Sequence, residues 1–93
     1  MLIVASIQSK VIRISGWPNS GWSVADSSDP SSKELPFHFA VTGDGDGGFL
    51  LAYHSLDNVY IADSSHPTIE HAYACAEHQF GIKRHEWTLR ARV

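Results

Sequence analysis

The stretch Phe37–Tyr53, FHFAVTGDGDGGFLLAY, decides how this chain folds. Phe37, Phe39 and Val41 alternate with His38, Ala40 and Thr42. Beyond the tract 43–48, Phe49, Leu51 and Tyr53 alternate with smaller partners. Successive strand side chains point to opposite faces, so an apolar period of two marks a strand with one buried face. Two such runs around a Gly/Asp tract predict an antiparallel hairpin, because Gly and Asp accept the backbone angles a tight turn needs. The tract is a poor calcium loop. Asp44 and Asp46 match the first ligand positions, but Gly48 occupies the third and no Glu follows where the bidentate acid is required. It is no phosphate loop either, since no Lys-Ser/Thr pair follows.

Downstream, Leu56-Asp57-Asn58 reads as a second turn and Val59–Ala62 as a third strand ending at Asp63, giving an antiparallel meander. Pro67 and Thr68 then open a helix with Thr68 as its cap. Ile69, Ala72, Tyr73, Ala76 and Phe80 fall on one face of that helix, and Gly81 stops it. Upstream, Leu2–Val4 and Val11–Ile14 are rich in β-branched residues and read as strand. Ser6–Lys10 between them suits a turn or a continuing edge strand. Residues 16–21 form a Gly/Pro turn, Trp22 and Val24 a short strand, and 26–33 an exposed Ser/Asp loop. The tail from His85 suits a short final strand or a helical turn.

The expected fold class is α+β: an antiparallel sheet of four to five strands with one C-terminal helix packed on one face. The expected core runs from Ile12 and Ile14 through Phe37, Phe39 and Leu51 to Val59, Ile61 and the helix stripe. The chain's 93 residues suit a single domain over 1–93, since a break in the 26–33 loop would leave halves too small to fold. Three Trp, three Tyr and four Phe supply the bulk that so small a core needs.

A net charge of −3 gives no electrostatic reason to bind nucleic acid. Lys83, Arg84, Arg90 and Arg92 cluster, but Glu77 and Glu86 offset them. The apolar start, Leu2–Ile7, is too short to span a bilayer and lacks the features of a signal peptide, so no membrane partner is expected. A single cysteine, Cys75, excludes an internal disulfide and fits a reducing, cytoplasmic setting.

Two groups of residues invite a functional reading. Trp17 and Trp22 bracket the Gly/Pro turn, and exposed Trp is a frequent interface anchor, for another protein or for self-association. His71, Cys75 and His78 fall within one narrow sector of the helix and carry imidazole and thiolate, the ligands of Zn²⁺ or Ni²⁺. Cys75 lies too far along the helix for the dipole to activate it as a nucleophile. Asp57 and Asp63 sit where Asp serves local backbone bonding, not as an acid–base pair. No cofactor-binding motif is present.

From Phe37 to Trp87 the chain resembles small uncharacterised bacterial α+β domain proteins, of a size similar to immunity proteins. The residues that carry the likeness are Gly47-Gly48-Phe49, Asp63-Ser64, Thr68-Ile69-Glu70-His71-Ala72 and Phe80-Gly81-Ile82. The likeness spans about half the chain and brings no catalytic residues with it. The expected function is a non-catalytic binding module, immunity- or regulator-like. The alternatives are a metal-binding protein using the His71/Cys75/His78 face, or a small hydrolase or transferase.

Overall fold

The computed structural model describes residues 2–17, 21–26, 28–43 and 46–89. Its elements are β1 (Leu2–Gly16), β2 (Trp22–Val24), β3 (Lys33–Gly43), β4 (Phe49–Ser55), β5 (Ile61–His66), α1 (Ile69–Phe80), a 3₁₀ turn (Arg84–Glu86) and β6 (Thr88–Leu89). Among the described residues the sheet runs in the order β2-β1-β3-β4-β5, with the two-residue β6 paired to β1, and every pairing is antiparallel. The architecture is α+β, with the sheet curled into a half-barrel. No helix among the described residues is long and apolar enough to cross a membrane.

The hairpin forms around the Gly/Asp tract: β3 and β4 pair from Phe37↔Ser55 to Gly43↔Phe49. Phe37, Phe39, Val41 and Leu51 are wholly buried. At about 1.5–3 kcal/mol each, these side chains are the main apolar contribution to stability.

The N-terminal segment is one strand, not two. β1 stays paired with β3 throughout, but its register slips between Ile3 and Ala5 and again between Ile7 and Lys10. Each slip adds one residue to β1, which is a β-bulge, and bulges bend a strand and increase its twist. The second slip also changes which residues of β1 reach the buried face, odd-numbered ones before it and even-numbered ones after. Ala5 and Ile7 point into the core before it, and Ile12 and Ile14 after it. Ser6–Lys10 is therefore a continuing strand, and its bulge helps turn the sheet back on itself.

The strand after β4 corrects the sequence reading. It begins at Ile61 instead of Val59, and it runs through Asp63 to His66. The buried Ser55 hydroxyl accepts the N–H of both Val59 and Tyr60, and Asp57 accepts the Val59 N–H as well. Asn58 adopts a left-handed φ of 62°. These bonds wind residues 56–60 into a turn and shift the strand's phase. Tyr60 is buried, whereas Val59 and Ile61, both expected in the core, are exposed.

Helix α1 is capped as its sequence requires. The Thr68 hydroxyl accepts the His71 N–H at 3.1 Å. Gly81 takes the left-handed conformation (φ 69°) and donates its N–H to the Ala76 and Glu77 carbonyls. Ala72, Tyr73, Ala76 and Phe80 are buried. The Phe80 ring lies 5.0 Å from Phe39 and 4.8 Å from Tyr53. The tail uses both forms expected of it, a 3₁₀ turn and then β6. Trp87 is buried against Tyr73, and Glu86 accepts a 2.8 Å ion-paired bond from Lys10 on β1. The described residues of the 26–33 segment are mostly exposed and carry local hydrogen bonds. The hydroxyls of Ser28 and Ser31, and then their N–H groups, donate to Asp26 and Asp29 and hold both carboxyls below their usual range.

Candidate functional site

β2 and β5 are the outermost strands of the five-strand path, yet residues from both line one cleft. Gly21, Trp22, Ser23 and Val24 form one wall and Ala62 of β5 the other. Tyr53 of β4 and His78, Gln79 and Phe80 at the end of α1 complete it. The half-barrel thus curls until its two edges share a seam, an open cleft of about 700 Å³. Small-ligand and peptide-anchor sites fall in this size range and are mainly apolar with a few polar groups.

The aromatic floor of the seam, Trp22, Tyr53 and Phe80, rests on further rings packed beneath it. Trp22 stands edge-on to Tyr60 at 5.4 Å and to Tyr53 at 6.0 Å, and tilts against Phe37 at 5.6 Å. Tyr53 in turn stacks on Phe39 at 5.6 Å. Such pairs contribute about 0.5–1.5 kcal/mol beyond the area they bury. Burial pushes the Tyr53 phenol up, with Cys75 and Asp63 adding to the effect. Its hydroxyl therefore stays protonated at neutral pH and can both donate and accept.

Gly16 seats Trp22 in this arrangement. It lies at the end of β1 with φ 108°, across the ladder from Trp22. A Cβ there would collide with the Gly21 carbonyl oxygen and the Trp22 Cα. Only glycine lets the two backbones approach this closely.

The residues singled out in the sequence separate in space. Trp22 is half-buried in the seam, while Trp17 is 74% exposed and borders a different depression beside Ser31 and Lys33. His78 lines the seam with Trp22. Cys75 is half-buried against the core. His71 is occupied elsewhere, with its Nδ1 2.8 Å from the Nδ1 of His66. Among the described residues no three His, Cys, Asp or Glu side chains gather closely enough to hold a metal ion. The helical spacing of His71, Cys75 and His78 is real, but each residue faces a different neighbourhood.

His66 comes from the strand that precedes α1, outside the His71/Cys75/His78 face of the helix. It is buried at the end of β5, and its Nε2 lies 2.7 Å from the Ser64 hydroxyl. Burial, and then the neighbouring His71, lower its pKa, which favours the neutral ring at neutral pH. A separate open cleft of about 500 Å³ adjoins it, lined by Asp46, Gly47, Gly48, Ser65 and Pro67. Tyr53 and Phe80 were legible only as core residues. Their second role comes from the closure of the sheet, which no local pattern announces.

No protein-family model matches this chain, and no match is found among curated proteins or solved structures.

Proposed function

We propose that this protein is a non-catalytic binding module that takes an extended segment of a partner protein into the seam between β2 and β5. The observation that carries this reading is the convergence of two outer strands and an aromatic floor on one cleft of about 700 Å³. Outer strands present backbone N–H and C=O groups that a third strand can pair with. The Trp22–Tyr53–Phe80 floor supplies the pocket in which one apolar side chain of that strand would anchor. Ser23, His78 and Gln79 on the rim add the polar contacts that fix orientation.

A hydrolase reading has less support. Ser64, His66 and His71 follow the order of nucleophile, base and orienting group, but Ser64 lines neither cleft, so no substrate carbonyl is offered to its oxygen.

The test is a selection of short peptides on the full chain, followed by affinity measurements on two variants. Ala62→Arg fills the seam from the β5 wall. Trp17→Ala removes the exposed ring outside it. The proposal expects enriched peptides that share one aromatic or aliphatic anchor, lose at least about tenfold in affinity on Ala62→Arg (about 1.4 kcal/mol) and ignore Trp17→Ala. Peptides that bind Ala62→Arg as well as the parent chain, or a selection that enriches none, would overturn it.

A further inference from the structure

At the opposite end of β5 from the turn at residues 56–60, we infer that His66 and His71 form a two-histidine site for a divalent late transition-metal ion, Cu²⁺ or Ni²⁺, held through their Nδ1 atoms. The two nitrogens lie 2.8 Å apart, and the ring centroids 5.0 Å apart. With metal–nitrogen bonds of about 2.0–2.1 Å, ligands at right angles stand roughly 2.9 Å apart, whereas tetrahedral ligands stand roughly 3.4 Å apart. The observed spacing is that of a hydrogen bond between the rings, and it is also close to that of adjacent ligands in a square or octahedral shell, the geometry of Cu²⁺ and Ni²⁺, both of which bind imidazole.

The surroundings of the pair are those of a ligand site. A His that coordinates through Nδ1 must carry its proton on Nε2, and the Ser64 hydroxyl stands 2.7 Å from the His66 Nε2 to accept it. An outer partner of this sort fixes both tautomer and ring orientation. In the metal-free pair the two Nδ1 atoms share one proton. The ion takes the place of that proton, which moves to the Nε2 of the ring that carried it, so both rings stay neutral and the ion binds without releasing a proton. His71 is exposed and can turn its lone pair toward the ion, while His66 is buried and fixed. His66, though not His71, lines the open cleft of about 500 Å³, from which waters can reach the shell. The site uses one member of the helical His/Cys/His face and draws its second ligand from the strand.

A second histidine pair, His38 and His54, faces across β3 and β4 with centroids 5.1 Å apart. There the His54 Nδ1 already lies 2.9 Å from the Ser55 carbonyl oxygen. That pair serves as the internal control.

The experiment is calorimetric titration of the untagged full chain with Ni²⁺ alone, each variant first shown folded by near-UV circular dichroism. The parent chain should bind one ion per chain. His71→Ala, an exposed position that spares the core, should weaken binding at least about tenfold. Ser64→Ala should weaken it roughly tenfold, as loss of an outer partner does, while His54→Ala, Cys75→Ser and His78→Ala stay within about twofold. Absence of Ni²⁺ binding by the parent chain, or binding that survives His71→Ala, would overturn the assignment. An equal loss in Cys75→Ser or His78→Ala would also overturn it, by placing the ion on the helix face.

Discussion

The two ends of α1 are fastened by opposite chemistry. Its start is polar: Thr68 caps the first turn, and His71 reaches back to the buried His66, which meets Ser64. Its finish is aromatic: Phe80 sits between Phe39 and Tyr53, and Phe80 and Tyr53 also line the seam. Polar contacts are directional and exchange with water, so each contributes about 0.5–1.5 kcal/mol net. Buried rings contribute more but carry no direction. The finish should therefore hold the helix in place, and the start should set where it begins.

Phe80→Ala is the largest expected break in that contrast. It empties the aromatic end and should cost about 3–5 kcal/mol, read from the urea midpoint. A loss under about 1 kcal/mol would mean that the polar end carries the helix. Gly16→Ala comes next. It forces a left-handed backbone and a clash on a residue with a Cβ, and should cost roughly 1–3 kcal/mol while changing the Trp22 fluorescence environment. Thr68→Ala, at the polar end, should cost about 1 kcal/mol. Its signature is local, with faster hydrogen exchange at the His71 and Ala72 amides and none of that change near Phe80.

The smallest effect concerns neither end but the tether of the tail to β1. The Lys10 ammonium, and then the Lys83 backbone N–H, hold the Glu86 carboxyl below its ordinary value of 4.5. The unfolded chain then binds the proton more readily than the native one, so this tether stabilises the fold above pH 4.5 and is lost as acid titrates it. A thermal-melt series against pH should show a shallower fall on the acid side for Glu86→Gln than for the parent chain. Asp57, lowered by Ser55 and the Val59 N–H, keeps part of the slope in both.

How much of this was legible in the sequence follows from the range of the forces involved. The Phe37–Tyr53 hairpin and the Thr68–Gly81 limits of the helix are local devices, periodicity of two on either side of a turn and caps at fixed offsets, and both appear in the structure. The phase of β5 was misread because Ser55 captures two amides four and five residues ahead, a side-chain bond that a hydropathy pattern does not contain. Val59 and Ile61 have the right composition for a core, but that turn moves them to the surface. The bulges in β1 were hidden for a related reason: each is defined by what β3 places opposite. The seam lay furthest from view. Gly21–Val24, Ala62 and His78–Phe80 share a cleft only because the whole sheet curls, and the His66–His71 contact likewise joins a strand end to a helix start across Pro67.

Amide chemical-shift mapping with a selected peptide on isotopically labelled full chain asks whether the seam is where this protein binds. The expected shifts are confined to Gly21–Val24, Tyr53, Ala62 and His78–Phe80, with Ser64, His66 and His71 undisturbed. Shifts centred on Trp17, or on the His66–His71 end of the helix, would contradict binding at the seam.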